Sequence, residues 1–237
     1  MTDYILGIPG LDEAIGSVRG GSNIMLIGPP MCGKEVIANN ILYSGLSIDE
    51  AAVLVTTTIS GEDALKWFKQ NGLDTDRYKN KFGIVDCVSQ TIGLSIGDSE
   101  NIKRVSSPVN LTGISVSITN FFEDFWMKKN VRKIRLCIHS LSTMLMYSNL
   151  QTVFRFLHVF TGRIKSVEAI GIYIVEQGMH DAQTITTLKQ LVDGVIEIET
   201  DKDINFMRAA GIAPKPTKWY EYEVSGAKIN VKYSHTR

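Results

Sequence analysis

Apolar and polar positions follow two rhythms along this chain. Short apolar runs recur at residues 23–27 (NIMLI), 51–56 (AAVLVT), 82–87 (FGIVDC), 134–139 (IRLCIH) and 170–175 (IGIYIV). Continuous runs of this length, bounded by turn residues, predict strands buried on both faces. Between them, residues 33–44, 62–71, 114–128 and 151–167 space their apolar positions as helices do. Strands alternating with helices predict an α/β fold, a three-layer sandwich whose mostly parallel sheet carries helices on both faces. After residues 188–192 the rhythm shortens. Residues 195–200, 205–209, 219–224 and 228–233 read as brief strands with turn signals between them, Ser225-Gly226 among these. They predict an antiparallel C-terminal extension on one sheet edge. Residues 88–113, rich in Ser, Gly and Asn, show no sustained period. No repeat or linker divides the 237 residues, so residues 1–237 are read as one domain.

Charge narrows the partners. Lys+Arg 25 balances Asp+Glu 25, so the basic footprint of a strong nucleic-acid binder is missing. The densest basic run, residues 128–135, reads either as a DNA patch or, more plainly, as a solvated helix end and the turn before a strand. Cys32, Cys87 and Cys137 are far apart and lack metal-ligand spacing, as expected of reduced core cysteines in an intracellular protein. No signal peptide opens the sequence, and no apolar run approaches the ~18 residues of a membrane span. A cytoplasmic location without a membrane partner is the expectation.

The candidate chemistry lies between the first long strand and its helix, in Gly28, Pro29, Pro30, Met31, Cys32, Gly33, Lys34 and Glu35. In a phosphate-binding loop, glycines let backbone N–H groups wrap a phosphate while the Lys reaches the terminal phosphates. The pattern ends in Gly-Lys-Ser/Thr because that hydroxyl binds the Mg²⁺ of the nucleotide. Here a carboxylate, Glu35, replaces it. Glu35 can pair with Lys34 and repel a nucleotide through space, yet the glycines and Lys34 are kept. Weak, Mg²⁺-independent binding of ATP, ADP or phosphate is therefore one expectation, and no useful binding the other.

The ordered set of motifs resembles the RecA/KaiC-like branch of the P-loop ATPases, most closely the single-domain archaeal relatives of KaiC and RadA. The set comprises GIPGLD at 7–12, the loop itself, SSPVNLT at 106–112, RLCIHSLS at 135–142, LVDGVI at 191–196 and a C-terminal sheet carrying Arg208. The resemblance implies an acidic pair after the second strand, which polarises the attacking water, and an Asp ending the fourth strand that helps order Mg²⁺. This chain has Thr58 and Ile59 at the first place and His139 at the second. Thr is a poor base, Ile cannot act as one, and imidazole is a poor Mg²⁺ ligand. Glu62 and Asp63 follow the lost pair but suit a helix cap. Asp86 either faces the crevice or forms a turn, and Glu176, at the end of residues 170–175, is the rescue candidate for a catalytic base. Glu35 and His139 alone are too few ligands for a transition metal, so no metal is expected.

Together these features predict a non-hydrolysing regulatory or scaffolding module acting through assembly or partner binding. Two alternatives stay open: an active ATPase in DNA recombination or repair, and a peptide- or protein-binding module. The resemblance also implies a homo-oligomer bridged by Arg208, across to Glu35 for example. Nucleic-acid binding should be weak or absent, because the loops expected to face DNA, residues 147–151 and 177–187, contain no Lys or Arg. The aromatic stretches at 121–126 and 219–222 read either as core or as anchors for a partner.

Overall fold

The computed structural model describes residues 2–94 and 96–232. Strands β1 (Asp3–Tyr4) and β2 (Val18–Arg19) pair antiparallel on either side of the short helix α1 (Leu11–Ile15). The α/β part then runs β3 (Asn23–Gly28), α2 (Lys34–Ser47), β4 (Ala51–Thr56), α3 (Gly61–Gln70), a 3-10 turn, β5 (Phe82–Asp86) and β6 (Ile102–Arg104). It continues through α4 (Leu111–Glu123), which ends in a π turn, β7 (Ile134–His139), α5 (Leu141–Tyr147), α6 (Leu150–Ser166), β8 (Ile170–Glu176) and α7 (Ala182–Lys189). Strands β9 (Gly194–Asp201), β10 (Ile204–Ala210), β11 (Tyr220–Ser225) and β12 (Lys228–Lys232) complete the chain.

Among the described residues, ten strands form one sheet in the order β12-β11-β10-β9-β3-β8-β7-β4-β5-β6. From β9 to β6 all neighbours are parallel; β9 to β12 form an antiparallel meander. The three-layer sandwich and its antiparallel extension follow the predicted pattern. Its physical cause is visible in β3. Ile24 and Leu26 point into the layer beneath α2 and α3, whereas Met25 and Ile27 point into the layer beneath α4 to α7. Successive side chains on a strand face opposite ways, so a sheet covered on both sides needs apolar residues throughout.

The shortest elements, the two-residue β1 and β2 among them, were not legible. β6 lies within residues 88–113, and its three residues pair with β5 at the sheet edge, too few to carry a period. α1, α5 and α7 are likewise short; α7 occupies much of the segment read as the loop 177–187. The predicted strand end Tyr233 lies outside the described residues. The aromatic stretches are mainly core: Phe121, Phe125 and Tyr222 are buried, Trp126 is covered by Arg132, and Trp219 by Arg208.

A buried ion pair ties the layers together. Arg135 on β7 meets Glu50 (Nε–Oε2 2.6 Å) and donates to the carbonyls of Ile41 (2.7 Å) and Ile5 (2.8 Å). One guanidinium thus joins β7, α2 and the N-terminal segment. Gly45 on α2 lies directly over it: a Cβ there would stand 2.3 Å from Nε, so only glycine fits this approach.

Candidate functional site

Parallel register brings the carboxyl ends of β3, β8, β7 and β4 to one rim, with Gly28 beside Glu176 and Thr56 beside His139. This is where open α/β sheets bind ligands. A cleft of about 710 Å³ opens there, lined by Met31, Glu35, Thr58, His139, Glu176 and Met179 among others. The loop from Gly28 to Glu35 forms one wall. Gly33 caps α2 at φ 83°, a left-handed conformation that glycine adopts without strain. The loop is braced from behind: the Tyr222 hydroxyl donates to the Cys32 carbonyl (2.5 Å), and Val224 would lie 2.7 Å from a Gly33 Cβ. The C-terminal extension thereby holds the cradle in shape.

Lys34 does not face open solvent. Its side chain is fully buried, its Nζ donates to the Pro29 carbonyl (2.9 Å), and Glu176 Oε2 lies 2.8 Å away. Glu35 is the more distant partner, at 3.5 Å. Burial works to lower the Lys34 pKa; the Glu176 contact, helped by Glu35, outweighs it and raises the value above that of an ordinary lysine. Glu176 is itself anchored, because its backbone N–H donates to Ser142 Oγ (2.9 Å). The carboxylate closest to the cradle lysine is therefore the one ending β8, and the expected Glu35 pairing is secondary to it.

His139 Nε2 stands 3.9 Å from Glu35 Oε1. Burial pushes its pKa down; Glu35 pulls it up and Lys34 pushes it further down, with a net depression that favours neutral imidazole. At the end of β4, Thr57 Oγ1 donates to the His139 carbonyl (3.0 Å), and Thr56 Oγ1 to that of Ile59 (2.7 Å). Hydroxyls that hydrogen-bond backbone carbonyls thus occupy the region where the resemblance implies an acidic pair. Glu62 is paired with Arg104, and the Asp63 carboxylate accepts from the Ser60 hydroxyl (2.7 Å), so neither acid lines the cleft. Asp86 is a turn former: fully buried, it accepts from the N–H groups of Gly61, Val88 and Ser89 and from Ser89 Oγ.

These donors do not fit a Mg²⁺–nucleotide. The cradle cation is consumed by a carboxylate, and a second carboxylate replaces the metal-binding hydroxyl. Among the described residues no three His, Cys, Asp or Glu side chains converge as a metal site. Phosphate alone fits only if Glu176 leaves Lys34. Arg208 lies on β10, where it grips Glu197 (2.7 and 2.8 Å) and covers Trp219. Reaching a neighbouring subunit would mean releasing both.

Sequence reading missed the Lys34–Glu176 pair, the Ser142 anchor and the Tyr222 brace. The first had a signal: in parallel strands a residue ending one strand stands beside the loop that leaves its neighbour. The other two depend on contacts across the chain that no local pattern encodes.

The sequence model of a family of unknown function, DUF7504, matches residues 21–198, most of the chain. The chain belongs to that family. It is 33% identical over 89 residues to the UPF0273 protein PAE3143 of Pyrobaculum aerophilum, covering 36% of this chain and 32% of that protein. It is 29% identical over 126 residues to the UPF0273 protein SSO1861 of Saccharolobus solfataricus, covering 46% and 45%. The chain thus spans less than half the length of these curated relatives. Among solved structures, the KaiC-like protein PH0186 of Pyrococcus horikoshii superposes with a TM-score of 0.75 at 19% identity, over 98% of this chain and 99% of that one. The P. horikoshii protein PH0321, solved with an unknown peptide, gives 0.75 at 17% identity, over 95% and 97%. The fold is therefore the RecA/KaiC-like α/β fold. Among the described residues no helix is long and apolar enough to cross a membrane.

Proposed function

We propose that the chain is a regulatory or scaffolding module on a nucleotide-binding fold, which does not turn over ATP and acts through assembly or partner binding. One observation carries this reading. The buried cradle lysine, Lys34, is held 2.8 Å from the chain's own Glu176, where a phosphate would otherwise sit. Hydrolysis also needs a base on the attacking water and a metal on the phosphates. Thr58 and Ile59 supply no base, and Glu35 with His139 supply no hard-oxygen Mg²⁺ site of the usual kind. Glu176 could serve as a base only after giving up Lys34. ATP, ADP or phosphate would enter weakly and without Mg²⁺, on Lys34 and the helix N-terminus.

Partner binding is the complementary half of the reading. Met31 and Met179 are exposed beside the cleft, and flexible methionines suit adaptable protein contacts. The test is phosphate release from Mg²⁺–ATP by purified protein, alongside Lys34→Ala. The proposal expects no difference between the two. A Mg²⁺-dependent rate abolished by Lys34→Ala would overturn it and favour the working ATPase, with Glu176 as its base.

A further inference from the structure

On the face of the sheet away from α2, helices α4 and α6 leave an open groove between them. Its first half, about 560 Å³, is lined from α4 by Thr112, Ser115, Val116 and Thr119, and from α6 by Arg155, Val159 and Arg163. Its second half, about 430 Å³, shares Thr119, Phe160 and Arg163 with the first and runs on to Trp126 and Met127. Three of its apolar side chains are left in solvent: Val116 (53% exposed), Val159 (57%) and Met127 (79%). Helices covering a sheet ordinarily turn charged residues outward. Here α4 carries no charge from Leu111 to Phe122. The outer wall is therefore neutral hydroxyl and aliphatic surface.

The charges present are one-sided along most of the groove. The Arg155 side chain has no hydrogen bond or ion pair among the described residues, and Arg163 is steadied across the groove by the hydroxyls of Ser115 (2.9 Å) and Thr119 (3.1 Å). Neutral hydroxyls orient a guanidinium without neutralising it, which leaves a planar fork suited to a carboxylate. Arg155 and Arg163 are eight residues apart on one stripe of α6, about 12 Å along its axis at 1.5 Å per residue. The one acidic lining residue, Glu123, sits at the far end beside Met127.

We infer that the α4–α6 groove docks an amphipathic helix of a partner protein, with apolar residues over Val116, Val159 and Met127 and two acidic residues seven or eight apart meeting Arg155 and Arg163. The inference deepens the partner-binding reading above and rests on it. None of the groove residues lines the cleft at Lys34, so the two can fail separately: ATP turnover without loss of helix binding would remove only the non-hydrolysing half.

The test uses the full chain and fluorescein-labelled model helices of about 18 residues, enough for five turns. One carries a leucine stripe flanked by two Glu eight apart; a second has Lys in place of those Glu; a third scrambles the first. Fluorescence anisotropy at physiological salt should give micromolar binding for the Glu helix and at least about tenfold weaker binding for the other two. Val159→Asp and Arg155→Glu, both at exposed positions, should each weaken the Glu helix about tenfold, and Arg155→Glu with Arg163→Glu should reverse the preference towards the Lys helix. Equal affinity for all three helices, or no saturation with any, would overturn the proposal. So would phosphatidylserine vesicles that bind through the same two arginines and displace the Glu helix, or a self-association of this chain that Val159→Asp abolishes.

Discussion

Replacing Glu176 with Gln should open the cradle. The substitution keeps the side chain's shape and removes the charge that holds Lys34. An incoming phosphate must displace that carboxylate from a fully buried ammonium 2.8 Å away. An ion pair between a fully buried ammonium and a carboxylate 21% exposed is worth more than the ~1 kcal/mol of solvated pairs and less than the about 3–5 kcal/mol of fully buried ones. Relieving about 2 kcal/mol of competition corresponds to roughly 30-fold tighter binding. The assay is calorimetric titration of ADP into wild type and Glu176→Gln, in EDTA to keep metal out. Glu35→Gln is the internal comparison. Its pair with Lys34 is longer, at 3.5 Å, and its carboxylate is 35% exposed, so the gain should stay near the ~1 kcal/mol ceiling of solvated pairs and shrink with salt. Equal or weaker ADP binding by Glu176→Gln would show that the carboxylate does not guard the cradle, and the reasoning would fail.

Three other outcomes follow from the same structure. Because burial depresses the His139 pKa, the unfolded chain takes up this proton at about 6.5 while the folded chain resists, so stability falls as pH drops below that value. His139→Asn should flatten this slope in urea unfolding across that window; His180 contributes with the same sign in both proteins, so an unchanged slope would refute the assignment. Arg135→Met leaves Glu50, whose side chain is only 4% exposed, with the longer Lys133 contact alone (3.6 Å), and should lower the unfolding free energy by about 3 kcal/mol, with partial recovery on adding Glu50→Gln. Light scattering at tens of micromolar should report an assembly that persists without nucleotide and is weakened by Arg208→Glu; a monomer under both conditions would remove the assembly half of the proposal.

The parallel sheet was legible because strands buried on both faces are written as unbroken apolar runs, as in β3 and β8. The meander was legible from its turns. What escaped were elements shorter than a period, such as β6, and helices like α5 and α7, whose one or two turns are capped by Ser140 and Asp181 yet carry only brief apolar stripes. The loop's place between β3 and α2 was readable, including the odd Glu35 at the start of the helix. The loop's electrostatic state was not. Local sequence placed Lys34 next to Glu35, whereas the nearer partner, Glu176, lies 142 positions away and is aligned by strand register alone. Asp86 shows the same limit: strand-end acids look alike until the backbone donors around them are in place.

This chain holds its own cradle lysine with a carboxylate from the neighbouring strand. A crystal grown with Mg²⁺ and millimolar ATP tests it most directly. Lys34 Nζ should still sit on the Glu176 carboxylate, with no Mg²⁺ between Glu35 and a nucleotide. Lys34 turned onto the β- and γ-phosphates, with Mg²⁺ held by Glu35 and Glu176 swung free beside an ordered water, would contradict it.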